Sequence, residues 1–226
     1  MYRFVFLDLD DTLLDFGAAE RVALHRAYRE SGIEPTEALI ARYHVINLEH
    51  WERYERGETT RERLLVDRHD QLFREFSIPH AGSEVEALYR RYLGIGHYFI
   101  DGAPEILDYL KGRGYRLFLA SNGVADTQHT RLESAGIVPY FEDIFISEMT
   151  GSHKPERAYF DYCFTHIADF DPAAAILIGD SLSSDIRGGK AAGIATCWMN
   201  PTGKSAPPDC VPDYEIRNLE ELKTIL

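Results

Sequence analysis

The sequence predicts a doubly wound α/β fold, a parallel sheet flanked by helices, with an all-helical unit inserted after the first strand. Three observations carry this reading. Short apolar runs recur along the chain, helical patterns separate them, and one long early stretch is helical throughout.

Phe4-Val5-Phe6-Leu7 is apolar without alternation, as a strand buried on both faces should be, and it ends at acids. Residues 18–93 hold only helical patterns rich in Glu, Arg, Leu and Tyr. Thr59-Thr60-Arg61-Glu62 and Ser83-Glu84-Val85-Glu86 match the capping box, and Gly57 marks a helix stop. The expected division is therefore a Rossmann-like core over 1–17 and 94–226 and a four-helix insert over 18–93. Ligands of open α/β sheets sit beyond the carboxyl ends of the strands, so an insert rooted there is placed to close over a site. After it, strands are expected at 115–120, 144–146, 175–178, 194–198 and 214–216. Helices are expected at 104–113, 124–135, 155–166 and 183–192, with a last one from Leu219. Pro104 and Pro155 suit first turns, and Gly114, Gly136 and Gly193 suit stops.

With 226 residues, 45% of them hydrophobic, the chain can bury a full core. No stretch reaches the roughly 18–20 apolar residues of a membrane span, and no signal peptide is read at the N-terminus. Cys163, Cys197 and Cys210 are too few and too odd for a disulfide framework, which suits the cytoplasm. A net charge of −13 argues against binding a nucleic-acid polymer. It does not exclude a small anionic ligand, because exposed charges are screened over about 8 Å. A monomer or homodimer is expected.

Four motifs carry chemistry, each at the carboxyl tip of an expected strand. Asp8-Leu9-Asp10-Asp11-Thr12 presents two carboxylates on one side of an extended chain. Such a pair suits either a metal or a division of labour between nucleophile and proton donor. Ser121-Asn122-Gly123 offers a hydroxyl and backbone N–H groups at a strand-to-helix turn, fit to hold an oxyanion or to cap the helix. Lys154, just before Pro155, is expected at the positive mouth of a helix. Gly179-Asp180-Ser181-Leu182-Ser183-Ser184-Asp185 adds two acids, hard oxygen ligands of the kind Mg²⁺ takes.

This order, Asp-x-Asp-x-Thr, then Ser, then Lys-Pro, then Gly-Asp-x(5)-Asp, resembles the haloacid dehalogenase-like hydrolase superfamily over essentially the whole chain. The insert resembles that superfamily's type-one helical cap. The resemblance implies a Mg²⁺-dependent phosphatase of small phosphorylated metabolites. It implies Asp8 as nucleophile, forming an aspartyl-phosphate, and Asp10 as acid and then base. Thr12, Ser121, Asn122 and Gly123 would serve phosphoryl binding, and Lys154 charge neutralisation. Mg²⁺ would be held by Asp8, the Asp10 carbonyl, Asp180 and, through water, Asp185.

Dehalogenating relatives lack an acid two residues after the nucleophile. Phosphonate-cleaving relatives use a cap lysine, and residues 18–93 contain none. The stretches from Asp8 to Phe16 and from Gly57 to Arg63 are similar to the pyrimidine 5′-nucleotidase branch. Phe16, Trp51 and Tyr54 are the candidates to stack on a base, or else to pack between helices. Sugar-phosphate or phosphoglycolate-type phosphatases and phosphomutases share the same catalytic residues. A non-catalytic binding module is the reading from another class.

Overall fold

A computed structural model describes residues 2–226. These form a parallel six-stranded sheet of β1 (Phe4–Leu7), β2 (Arg116–Ser121), β3 (Asp143–Ile146), β4 (Ala175–Gly179), β5 (Ala195–Met199) and β6 (Tyr214–Ile216), in the order β3-β2-β1-β4-β5-β6. The order reverses at β1, so the switch point of this open sheet lies at the tips of β1, β2 and β4. Leu7 lies beside Leu119 on one side and Ile178 on the other, so the residues following these three strands leave the sheet together.

Side-chain alternation divides the core into two layers. Val5 and Leu7 pack with Ile106, Leu107, Leu110 and Leu132, from α5 (Ala103–Gly112) and α6 (Ala125–Ala135). Phe4 and Phe6 face the other way, into a largely aromatic layer of Phe118, Phe145, Tyr159 and Phe160.

Between β1 and α5 run α1 (Phe16–Glu30), α2 (Glu37–Glu55), α3 (Arg61–Glu75) and α4 (Gly82–Gly94). They bury a cluster of their own, including Ala23, Leu24, Ile46, Leu72 and Val85. At its centre is a polar knot. Arg68 donates to both oxygens of Glu86, at 3.1 and 2.9 Å, and to Asn47 at 2.8 Å. Burial alone would raise the Glu86 pKa, but Arg68 and His69 against it hold the carboxyl below its usual range. Burial pushes His69 down, toward the neutral form. Among the described residues no helix is long and apolar enough to cross a membrane.

Several local expectations shift. Thr60, not Thr59, caps α3, accepting from the Arg63 N–H, so no acid stands where a box needs it. Ser83 lies inside α4, where Glu84 reaches back to the Ala81 N–H and Glu86 turns inward to Arg68. After α7 (Ser147–Thr150), the helix expected from Pro155 is α8 (Arg157–Thr165), so Lys154 precedes it in a turn rather than standing at its mouth. The helix expected from Ser183 begins as a wide turn over Leu182–Ile186 before α9 (Arg187–Ala192). The last expected helix is a tighter 3₁₀ segment, Leu219–Thr224.

The knot sets a pH response. The folded Glu86 pKa is depressed, so its contribution is complete above about 4.5 and is lost as pH falls through the folded value. His69, held neutral, adds destabilisation as pH falls below about 6.5. The stability that Glu86 contributes, read as the difference in urea unfolding between wild type and Glu86→Gln, should therefore shrink from pH 7 to pH 4. Glu86→Gln, which strands a buried guanidinium, should cost about 3–5 kcal/mol at pH 7. A loss below about 1 kcal/mol would show that the pair is solvated.

Candidate active site

The four motifs meet at the switch point. The Asp8 N–H donates to the Ile178 carbonyl at 2.9 Å, so its carboxylate starts from the last pairing of β1 with β4. Lys154 Nζ donates to Asp8 Oδ1 at 2.7 Å, to Asp185 Oδ1 at 2.6 Å and to the Ala120 carbonyl at 2.6 Å. All three ammonium hydrogens are thus committed, and Lys154 is 1% exposed. Its backbone is fixed by Asn122, whose Oδ1 accepts from the Lys154 N–H at 2.9 Å while Nδ2 donates to the Lys154 carbonyl at 2.8 Å.

Asp185 owes its place to Gly179. A Cβ on Gly179 would lie 2.2 Å from an Asp185 carboxylate oxygen. That same oxygen, Asp185 Oδ2, accepts the Ser181 N–H at 3.1 Å, and this tie accompanies the wide turn before α9. Trp198 Nε1 donates to the Asp180 carbonyl at 2.7 Å and anchors that loop.

One carboxylate oxygen from each of Asp8, Asp180 and Asp185 lies within 4.8 Å of the other two. Burial pushes the Asp8 carboxyl up to about 8; Lys154 opposes this, and Asp185 and Asp10 reinforce it. Burial, Asp8 and Asp185 likewise raise Asp180 well above the carboxylate range. Burial would lower the Lys154 pKa, but Asp185 and Asp8 hold it above its ordinary value. One ammonium therefore faces three acids. The mutual repulsion of these acids and their hard-oxygen donors fit a small divalent cation, whose opposite ligands lie about 4.2 Å apart at a bond length of about 2.1 Å.

Ser121 Oγ accepts from the Gly123 N–H at 3.1 Å and from Gln128 Nε2 at 2.9 Å. Its own hydrogen has no acceptor among the described residues. Asp10 turns the other way, with one oxygen paired to Arg131 and the second accepting from Gln128 Nε2 at 2.7 Å. Asp11 takes a left-handed turn at φ 54°, and its carboxyl accepts the Phe16 N–H at 2.9 Å. Burial, with Asp10 beside it, raises Asp11 to about 6.

These groups floor a cleft whose roof is the helical bundle, with Phe16, Asn47, Trp51, Leu65 and Arg90. Asp8, Asp10, Lys154, Asp180, Asp185, Ser121, Asn122, Gly123, Phe16 and Trp51 all border it. Two expected residues do not. Thr12 is fully buried and its hydroxyl has no partner among the described residues. Tyr54 packs on His153 of the core, with ring centroids 4.4 Å apart, beneath the Arg61 guanidinium. Sequence reasoning did not single out Gln128, Arg131 or Glu55. Glu55, at the end of α2, accepts from Ser183 Oγ at 2.6 Å and ties the bundle to the acid-bearing loop.

A family model for haloacid dehalogenase-like hydrolases matches residues 2–193. The chain belongs to that family. The hydrolase is 43% identical to the putative HAD-hydrolase YfnB of Bacillus subtilis, over all of this chain and 95% of that one. A crystal structure of YfnB bound to magnesium superposes with a TM-score of 0.95, covering 100% of this chain and 98% of that one. The hydrolase is also 37% identical to the pyrimidine 5′-nucleotidase PynA of Streptococcus pneumoniae, over 98% of this chain and 93% of that one.

The tight seat of Asp185 gives a direct expectation. Gly179→Ala should force the carboxylate away and overpack the β4 tip, costing about 1–3 kcal/mol in urea unfolding. An unchanged midpoint would mean that the loop yields freely.

Proposed function

We propose that the hydrolase is a Mg²⁺-dependent phosphatase of small phosphate monoesters, with nucleoside 5′-monophosphates as its preferred class. The observation that carries the reading is the Asp8 carboxylate, held by Lys154 at the floor of a cleft, with Asp180 and Asp185 beside it and a further carboxyl, Asp10, on the same border.

In the first step an Asp8 oxygen attacks phosphorus. The bond from phosphorus to the ester oxygen breaks, and a proton from Asp10 goes to the departing alkoxide. In the second step water gives a proton to Asp10 and attacks the aspartyl-phosphate. The bond to Asp8 breaks, inorganic phosphate leaves and both side chains are restored. Lys154 works by charge, because its three hydrogens are already shared among Asp8, Asp185 and the Ala120 carbonyl. The Ser121 hydroxyl, which already accepts two hydrogen bonds, donates to a phosphoryl oxygen. Asn122 acts indirectly, by setting the Lys154 backbone. Mg²⁺, held by Asp8, Asp180, the Asp10 carbonyl and, through water, Asp185, would supply neutralising charge between nucleophile and phosphoryl group.

The bundle over residues 18–93 acts as the cap, the remainder as the catalytic core. Phe16 and Trp51 present aromatic walls suited to a base. Two relatives named pyrimidine 5′-nucleotidases, PynA and the Escherichia coli protein YjjG, 29% identical over the whole chain, support the substrate class.

Purified protein with Mg²⁺ should release phosphate from nucleoside 5′-monophosphates faster than from sugar phosphates, and a chelator should stop it. Asp8→Asn should abolish release, and Asp10→Asn should slow it about 10²–10⁴-fold. Release by Asp8→Asn at the wild-type rate would overturn the mechanism. A preference for sugar phosphates would overturn the substrate class alone.

A further inference from the structure

The Asp10 carboxylate is gripped on both oxygens by side chains from one helix face. Gln128 and Arg131 lie three residues apart on α6, so they project together. Gln128 Nε2 bridges Asp10 and the Ser121 hydroxyl, at 2.7 and 2.9 Å. Arg131 pairs with the other Asp10 oxygen through Nη1, which also donates to Gln128 Oε1 at 3.1 Å. Its Nε donates to the Gly96 carbonyl at 3.2 Å, on the segment leaving α4, and its guanidinium lies 5.8 Å from the centre of the ring of Phe16, the first residue of α1.

Two features mark this grip as built rather than incidental. Arg131 is 0% exposed, and its Nη2 has no partner among the described residues. A buried cation with an unmet donor weakens a fold that packing alone would fill with an apolar side chain. Gly123 supplies the second feature. A Cβ there would lie 2.5–2.7 Å from Gln128 side-chain atoms, so the backbone beside Ser121 leaves room for this glutamine.

We propose that Arg131, with Gln128, is a positioning residue that sets the Asp10 carboxyl for proton transfer to and from the ester oxygen and water. This rests on the phosphatase reading and on Asp10 as its acid and base, but not on the nucleotide preference. Arg131 acts on the substrate only through Asp10. Its effect depends on how much the leaving group needs a proton. A nitrophenolate departs without one, whereas an alkoxide does not.

The test compares first-turnover alcohol release from p-nitrophenyl phosphate and from benzyl phosphate, by rapid quench with Mg²⁺, in wild type and Arg131→Met. The expected result is a fall of about 10²-fold or more for benzyl alcohol and less than about threefold for nitrophenol. KM should change little, and steady-state turnover should fall for both esters because the water step also uses Asp10. Gln128→Leu should show the same selectivity with a higher KM for both, since it also touches Ser121. If Arg131→Met fails to fold by thermal melting, Arg131→Lys keeps the charge but shortens the reach, and it should show a weaker loss of the same selectivity. Equal losses for both esters, or no loss for benzyl phosphate, would overturn the proposal while leaving an active wild type and its phosphatase reading intact. A wild type that cleaves neither ester would bring down both.

Discussion

The Lys154 ammonium, shared among Asp8, Asp185 and the Ala120 carbonyl, is the interaction on which the rest of the site depends. Without it, carboxylates from the tips of β1 and β4 would face one another in a buried space. With it, one ammonium still faces three acids, because Asp180 shares the cluster. A site so arranged favours a divalent cation and, through it, a phosphoryl group, although the chain as a whole carries −13. The local donors, not the global charge, decide what enters.

The rest of the fold serves that arrangement. Parallel pairing brings the ends of β1, β2 and β4 to one edge. Asn122 then fixes the Lys154 backbone from the β2 side, and Gly179 leaves space for Asp185 on the β4 side. The helical bundle has its own apolar cluster and its own buried ion pair, so its roof residues can vary without disturbing the acids. The acids and the roof of the cleft thereby rest on separate apolar cores. Glu55 on Ser183 and Tyr54 on His153 are among the contacts that join them.

Much of this was legible in the sequence because it is local. The strand runs end where acids begin, and a strand tip in a parallel sheet is a ligand position wherever the chain goes next. Asp8, Ser121, Lys154, Asp180 and Asp185 could be placed on that ground. What was not legible depends on partners distant in sequence. Gln128 and Arg131 look like ordinary polar residues of a helix until Asp10, more than a hundred positions earlier, is laid against them. Glu86 fits a capping box by spacing, yet Arg68 draws it into the bundle core. Tyr54 carries the same aromatic signal as Trp51, but the end of α2 turns its ring onto the core instead of into the cleft. Lys154 was expected at a helix mouth; it lies instead buried in a turn ahead of the helix, and the Asn122 amide that fixes its backbone leaves no spacing pattern to read.

The most direct measurement is to quench the protein during turnover of a phosphate monoester, reduce it with borohydride, and sequence its peptides by mass spectrometry. An acyl phosphate on Asp8 reduces to homoserine, so the account predicts that product at position 8 and nowhere else. Homoserine at another acid, or an unmodified Asp8 in protein trapped while turning over, would contradict it.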